Sequence, residues 1–228
     1  MKVEIWFDFT CPFSYIGKQN FDKALENFKH KRDVKVTYKS FCVSPDVNET
    51  LEMDSHAFLA NHRNILYDEA KRIHDKMSKM ALKEDIILDF EHLIPTTSKK
   101  AHQILKLMFD HDARSAFIDY IYKAHFEEGK DISSLDVLLE IASHVSIDPD
   151  DVKAVYESDM YQHAIELDYE EAEELGLDSV PAVIVDRSYY LPGGQPVEAY
   201  QEMLEKLYEA NLKRQKDTEY CVGDFCDR

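Results

Sequence analysis

A chain of 228 residues is long enough to bury a sizeable core, either as one large domain or as two small ones. Its formal net charge of −18 argues against nucleic acid or an anionic membrane surface as a partner. No stretch approaches the ~20 apolar residues that a membrane-spanning helix needs, and no basic and apolar leader pattern opens the chain. We therefore expect a cytoplasmic protein with no membrane partner, in which thiols are mostly reduced and any working disulfide is transient and not structural.

The first predicted strand–helix unit carries the cysteine on which the functional prediction rests. Residues 2–9 are β-branched and aromatic, which predicts a buried strand. Apolar residues at helical spacing from residue 15 onward predict a helix. Cys11 therefore lies at a strand-to-helix turn, where free N–H groups and the helix dipole favour a thiolate and a thiol pKa below the usual value of about 8.5. The alternative is a buried small residue that fills space at the turn.

The neighbours of Cys11 support a site at this turn. Pro12 follows in the helical position where its missing N–H costs nothing. Phe13 is an apolar side chain that either contacts substrate or packs locally. Asp8 is three residues before Cys11, where it influences the ionisation of the thiol or, more commonly for such a carboxylate, caps the turn.

A second strand is predicted over residues 33–41, where apolar residues alternate with polar ones. The order strand, helix, strand predicts a parallel pair with a right-handed crossover. Cys42 ends this strand on the sheet edge that also carries Cys11. It could therefore resolve a mixed disulfide, although a buried inert thiol is the more common role of such a residue.

Residues 45–157 contain helical patterns and little strand, which predicts a helical insertion domain. Helices are predicted over 56–81, 98–111 and 113–128, the last ending at Gly129, and two more begin at Ser134 and at Asp148-Pro149.

The rest of the chain returns to strands after one acidic helix over residues 159–175, which we interpret as a solvated face and not as a metal site. Strands over 182–185 and 188–191 are predicted to pair antiparallel through a tight turn. Pro196 opens a last helix. A polar tail over 214–228 contains Cys221 and Cys226, predicted to form an accessory redox pair that closes a reversible local disulfide.

This order of elements resembles the DsbA family, and within it the FrnE-like branch. The resemblance implies an α/β thioredoxin fold with a large all-helical insertion, its two halves covering residues 1–44 and 158–213. The residues that carry the resemblance are Cys11–Lys18, Ala101-His102, Phe126–Ser133, Ser179–Ala182 and Gly193–Pro196.

The resemblance also implies roles for individual residues. The bond before Pro181 is expected to be cis, with the backbone at Val180 pairing with a bound substrate chain. His102 matches a family position and is either a substrate contact or a hydrogen-bonded structural histidine. Cys221 and Cys226 resemble a second cysteine pair of some FrnE-like proteins.

Ser14 departs from the family pattern, because the redox members carry a second cysteine at this position. A hydroxyl can hydrogen-bond the Cys11 thiolate but cannot form a disulfide with it. Cys11 would then form mixed disulfides that another thiol resolves. Three explanations of Ser14 remain open. The protein is a natural monothiol enzyme, or Ser14 is an introduced substitution that traps mixed disulfides, or the chain has diverged toward the chemistry of a related class of enzymes.

The resulting functional prediction is a thiol–disulfide oxidoreductase in which Cys11 is the nucleophile and Ser14 its hydrogen-bond partner. Substrates are expected to be proteins or small molecules with a thiol or disulfide, with no bound cofactor, no metal and glutathione as a co-substrate. One alternative is a glutathione-dependent isomerase or transferase of the hydroxychromene-carboxylate isomerase or kappa type. Those relatives use serine at the first position and an Asp-Arg loop, which Pro192–Pro196 lacks. A non-catalytic peptide-binding module is the other alternative.

Overall fold

Four strands form one mixed sheet in the order β2-β1-β3-β4 in the computed structural model, which describes the backbone of residues 1–222 and the side chains of residues 1–214. The predicted pair Cys221 and Cys226 lies outside the described side chains. β1 runs parallel to β2, whereas β3 is antiparallel to both β1 and β4. The strands are β1 (Lys2–Phe7), β2 (Lys35–Ser40), β3 (Ala182–Val185) and β4 (Tyr189–Pro192).

The turn between β3 and β4 has the backbone conformation that a tight hairpin requires. Asp186 and Arg187 both have positive φ angles, of 47° and 54°, and such turns match the twist of the paired strands. The Asp186 carboxylate also accepts a hydrogen bond from the Lys2 N–H at 2.7 Å, which ties the hairpin to β1. The predicted hairpin is therefore present, with its turn where the sequence placed it.

Nine α-helices lie within the described residues. The predicted helix over 56–81 is two helices, because Asn64 adopts a left-handed conformation with φ of 51° and ends the first of them. The predicted helix over 113–128 gives way after residue 122 to a five-residue π-helical turn (Lys123–Glu127). The helices are α1 (Pro12–Asn27), α2 (Ser55–Arg63), α3 (Tyr67–Ala81), α4 (Lys99–Leu105), α5 (His111–Tyr122), α6 (Leu135–His144), α7 (Pro149–Tyr156), α8 (Gln162–Glu174) and α9 (Val197–Val222).

The two faces of β1 pack into different parts of the core, as alternation along a strand requires. Ile5 and Phe7 belong to the large cluster that joins the sheet to α1, α9 and the helical insertion. Trp6 points the other way and is fully buried with Phe41 and Ile184. Within the part of the chain that the structure describes, no helix is long and apolar enough to cross a membrane.

Gly17 sets how closely α1 approaches the loop before β3. A Cβ atom at this position would lie 2.9 Å from Cγ of Pro181, 3.2 Å from Cα of Gly194 and 3.3 Å from the hydroxyl of Tyr200. These distances are shorter than normal contacts, and Gly194 offers only backbone there. Glycine at position 17 therefore keeps the start of α1 against this loop.

We predict that Gly17→Ala lowers the melting temperature of the protein. Alanine gains about 1 kcal/mol of helix propensity, but overpacking costs typically about 1–3 kcal/mol and outweighs that gain. Thermal unfolding followed by circular dichroism measures the difference. Asn27→Ala, at the exposed last residue of the same helix, is the control, and equal melting temperatures for the two variants would contradict the prediction.

Candidate functional site

Cys11 occupies the N-cap of α1, which confirms its predicted place at the strand-to-helix turn. Its backbone is extended, with φ of −93° and ψ of 113°, and Pro12 follows in the first turn of the helix. The N–H groups of Ser14 and Tyr15 donate to the Cys11 carbonyl at 3.0 and 3.3 Å. The Cys11 side chain is 9% exposed, so its sulfur is held at the surface of a groove and not in open solvent.

Ser14 is buried directly beside Cys11. The Asp8 N–H donates to the Ser14 hydroxyl oxygen at 3.4 Å. Because that oxygen accepts a hydrogen bond, its own hydrogen is available to the Cys11 sulfur, and this bond acts to lower the pKa of Cys11. The predicted hydrogen-bond partnership between Ser14 and Cys11 is therefore compatible with the geometry.

The expected low thiol pKa is corrected by the structure. Burial raises the pKa of Cys11 above its ordinary value, and the negative charge of Asp8 acts in the same direction. Hydrogen bonds from Ser14 and from the Phe13 N–H oppose the increase without reversing it. The thiol is therefore protonated at neutral pH, and it donates to the Val180 carbonyl at 3.5 Å.

The segment before β3 faces Cys11 across the groove. The peptide bond between Val180 and Pro181 is cis. Val180 lines the groove together with Pro12 and Phe13, whereas Pro181 packs behind it against α1. The Pro181 carbonyl accepts a 2.8 Å hydrogen bond from the Gly193 N–H, which fixes this segment to the loop after β4.

His102 lies behind the site and does not line the groove. Its side chain is fully buried, with ring centroids 5.2 Å from Phe7 and 4.6 Å from Phe9. A direct substrate contact, which was one of its two expected roles, is therefore not supported. Nε2 of His102 instead lies 3.5 Å from the Asp8 carboxylate, which is itself 1% exposed.

Asp8 carries a buried negative charge next to the reactive turn. Burial acts to raise the pKa of its carboxyl group, but His102 and hydrogen bonds from Ser98 and the Val43 N–H lower it overall. Thr10 also donates to this carboxylate from its backbone and its hydroxyl. Asp8 thus caps the turn, as expected for a carboxylate at this position, and also acts on the Cys11 thiol through its charge.

Cys42 is not brought into the groove of Cys11. Burial, with a contribution from Asp8, raises the pKa of the Cys42 thiol to about 12. Its sulfur lies 3.8 Å from the Ser98 hydroxyl. A thiol with so high a pKa is a poor nucleophile at neutral pH, which favours the inert role over the resolving one.

The groove at Cys11 has a volume of about 430 Å³. One wall is the α2–α3 pair, a second is the π-helical turn, and the Val180 segment closes the opposite side. Two larger depressions lie elsewhere on the surface, and neither contains a cysteine. The apolar lining of the groove comes mainly from Phe13, Phe41, Phe58, Leu59, Ile73, Met77, Phe90 and Phe126.

Much of the polar lining comes from His62, Arg63, His74 and His125. Nδ1 of His74 lies 2.8 Å from Nδ1 of His56, and the His74 ring stacks on Phe90 at 3.9 Å. Burial, His56 and Arg63 lower the pKa of His74 to about 4. His125, which is 1% exposed, lies in the wall formed by the π-helical turn. The described residues contain no group of three or more side chains placed to hold a metal ion.

His56, His74 and His125 were not predicted from the sequence as site residues. His56 and His74 are 18 residues apart and belong to two helices that were predicted as one. His125 is followed directly by the segment whose family resemblance was recognised. A histidine inside an otherwise apolar run of a helix was the available signal.

Residues 2–205 match the DSBA-like thioredoxin domain, and the chain therefore belongs to that family. The thioredoxin fold with its helical insertion, expected from the resemblance, is confirmed. This membership supports an enzyme of the thiol–disulfide oxidoreductase type.

Individual relatives agree with this assignment. A probable DsbA oxidoreductase of Streptomyces coelicolor superimposes with a TM-score of 0.84 at 27% identity, over 92% of this chain and 90% of its own. The YwbO protein of Bacillus subtilis is 23% identical over 217 residues, which are 90% of this chain and 96% of YwbO. The cytosolic disulfide reductase DsbM of Pseudomonas aeruginosa, at 14% identity and a TM-score of 0.62 over 92% of this chain and all of its own, shares the fold.

Asp8 raises the pKa of the Cys11 thiol and Ser14 lowers it, so substitutions of these two residues should have opposite effects. Asp8→Asn removes a negative charge and should shift the pH midpoint of Cys11 alkylation down by roughly one unit. Ser14→Ala removes a hydrogen-bond donor to the thiolate and should shift the midpoint up. Iodoacetamide labelling against pH, in a chain with Cys42, Cys221 and Cys226 replaced by serine, measures both.

The control for these two variants is Asp136→Asn, which removes a charge from an exposed position of α6. Its labelling midpoint should equal that of the parent chain. Shifts of Asp8→Asn and Ser14→Ala in the same direction would show that the assigned contributions are wrong.

Proposed function

We propose that this protein catalyses thiol–disulfide exchange through Cys11 alone, with an external thiol such as glutathione resolving the mixed disulfide. The observation that carries the proposal is the pairing of Cys11 with Ser14 at the start of α1. Cys11 is the one cysteine among the described residues that line the groove. An enzyme built in this way can attack a disulfide but cannot complete the reduction by itself.

The first step forms a bond between Cys11 and the substrate. Cys11 loses its proton to solvent, and the thiolate attacks one sulfur of the substrate disulfide. That disulfide breaks, a mixed disulfide with Cys11 forms, and the leaving sulfur takes up a proton. The Ser14 hydroxyl, held by the Asp8 N–H, donates to the thiolate while it exists.

The second step needs a thiol from outside the protein. Its thiolate attacks one of the two sulfurs of the mixed disulfide, either that of the substrate fragment or that of Cys11. Attack that expels Cys11 returns the enzyme to its thiol form and leaves a new disulfide between the external thiol and the bound fragment. A second external thiol then reduces that product, so two thiols are oxidised for each substrate disulfide reduced.

The groove edge supplies contacts for the substrate near the reacting sulfur. Pro12 and Phe13 offer apolar surface on one side of Cys11, and the Val180 carbonyl offers a hydrogen-bond acceptor on the other. A stabilised thiolate makes the disulfide of such an enzyme a strong oxidant. Burial instead raises the pKa of Cys11 and so destabilises its thiolate, which favours reduction of the substrate over its oxidation. Reduction in a cytoplasm rich in small thiols is therefore the direction we propose.

We predict that Ser14→Cys accelerates the reduction of insulin by dithiothreitol and lessens its dependence on glutathione. Residues three apart in a first helical turn face the same side of the helix, and their Cα separation falls within the range of about 4.4–6.8 Å that disulfides span. The introduced thiol can then attack the mixed disulfide intramolecularly, which should raise turnover about tenfold or more. Turbidity from insulin precipitation, measured with and without glutathione, gives the rates.

Two controls accompany this variant. Ser143→Cys adds a thiol at an exposed position of α6 and should leave turnover unchanged. Cys11→Ser should abolish turnover in every background, because the attacking sulfur is gone. Full activity of Cys11→Ser would overturn the proposed function, and a Ser14→Cys variant that never forms a disulfide with Cys11 would overturn the proposed arrangement.

A further inference from the structure

Arg63 is the last residue of α2 and lies on the wall of the groove that holds Cys11. Asn64 ends the helix directly after it, in a left-handed conformation, and so fixes where this wall stops. Arg63 is exposed, so a molecule in the groove can reach its side chain. Cys11 lies beside the Val180 segment, and a ligand between the walls therefore meets a cation from one of them and the reactive sulfur from another.

The charge of Arg63 is not neutralised by the protein. Within the part of the chain that the structure describes, its guanidinium has no hydrogen bond and no ion pair. By contrast, Lys71 on α3 pairs with Glu91 at 2.5 Å. Burial, His56 and Arg63 together lower the pKa of His74 to about 4, and His74 lines the groove. The positive charge of Arg63 therefore acts inside the groove and is available to a ligand.

Acidic side chains are nearly absent from the lining of the groove. The chain has 45 Asp and Glu residues against 27 Lys and Arg, yet Asp178 is the one carboxylate among the described residues that line this site. Its carboxylate accepts a hydrogen bond from the Ser179 hydroxyl at 3.0 Å, next to Val180. The lining thus presents a cation on the α2 side and an anion on the Val180 side. An anionic group on a ligand is favoured next to Arg63.

A cation in the last turn of a helix also stabilises the helix dipole, and Arg63 has this position in α2. That role requires only a positive charge near the last carbonyls. It does not depend on which molecule occupies the groove, so it affects the stability of α2 and leaves the choice of substrate unchanged. A contact with substrate has the opposite signature, because it changes the rates with anionic substrates and not those with neutral ones.

We propose that Arg63 selects small disulfides that carry a carboxylate on a short chain, which pairs with the guanidinium while Cys11 attacks the sulfur. Guanidinium and carboxylate match in shape and can form two parallel hydrogen bonds. The apolar side chains of the lining accommodate the methylene groups between the two ends of the ligand. The groove volume of about 430 Å³ is within the range of small-molecule sites.

This specificity rests on the proposed function, because it concerns the disulfide that Cys11 opens. Arg63 binds and orients the substrate and takes no part in the bond changes. The bond between the two substrate sulfurs breaks, a bond to the Cys11 sulfur forms, and the leaving sulfur takes up a proton.

Three disulfides of matched length test the proposal. Dithiodipropionate, cystamine and hydroxyethyl disulfide carry a carboxylate, an ammonium and a hydroxyl group at the end of the same two-carbon chain. Dithiodibutyrate and dithiodihexanoate extend the reach of the carboxylate. The full chain with Cys42, Cys221 and Cys226 replaced by serine leaves Cys11 as the reacting thiol. Mass spectrometry follows formation of the mixed disulfide under single-turnover conditions at low salt.

Substitution of Arg63 should change the rates according to the charge of the probe. Arg63→Gln should slow the fastest carboxylate probe roughly threefold to fivefold relative to hydroxyethyl disulfide, as expected for an ion pair exposed to solvent. Arg63→Glu should slow it further and accelerate cystamine, whereas Arg63→Lys should retain part of the preference. Added salt should bring the parent chain to the ratio of Arg63→Gln. The neutral probe corrects for any change in the ionisation of Cys11.

The matched control is Arg72→Gln, which makes the same change of net charge at an exposed position of α3 outside the groove lining. Its rate ratios should equal those of the parent chain. Equal effects of Arg72→Gln and Arg63→Gln on the ratios would show that the total charge of the protein is responsible, and would overturn the assignment to Arg63.

The outcomes separate the specificity from the proposed function. Unchanged ratios for every carboxylate probe in Arg63→Gln and Arg63→Glu, with Cys11 still reacting, would overturn the role of Arg63 and leave the exchange reaction standing. Failure of every probe to form a mixed disulfide with Cys11 in the parent chain would overturn the exchange reaction itself. Should Arg63→Glu lose its helical circular dichroism, the ratios of Arg63→Gln decide.

Discussion

The close approach of α1 to the segment before β3 is the constraint on which the site depends. Gly17 permits that approach, because any side chain would collide with Pro181 and the backbone of Gly194. As a result the Cys11 sulfur lies 3.5 Å from the Val180 carbonyl, which comes from a part of the chain 169 residues away. The groove exists because these two segments meet, and the helical insertion then supplies its outer wall.

Within that arrangement, burial outweighs the helix terminus in determining whether the Cys11 thiol is protonated. The N–H groups at the start of α1 favour a thiolate, but burial of the sulfur opposes it and Asp8 adds a negative charge. A protonated resting thiol is therefore the consequence of packing. Reactivity then depends on the groups that stabilise the thiolate once it forms, chiefly the Ser14 hydroxyl that the Asp8 N–H orients.

Features encoded over a few residues were predicted from the sequence, and features assembled from distant segments were not. The β1–α1–β2 unit and the β3–β4 hairpin have local signals: β-branched runs, Pro12 at the helix start and the Asp186-Arg187 turn. The apolar stripe continues across Asn64, which concealed the break between α2 and α3. The π-helical turn differs from a regular helix by one residue per turn and leaves no distinct period. Burial at Cys11 depends on contacts that no local spacing contains.

The helical insertion has a chemical consequence for a monothiol site. An isolated strand–helix turn would expose Cys11 to any thiol or disulfide, whereas α2, α3 and the π-helical turn enclose the sulfur on one side with aromatic surface. Enclosure raises the thiol pKa and so slows unselective reaction. In the function proposed above, selectivity has to come from the groove, because Ser14 cannot form a disulfide with Cys11 and so cannot resolve a wrong mixed disulfide.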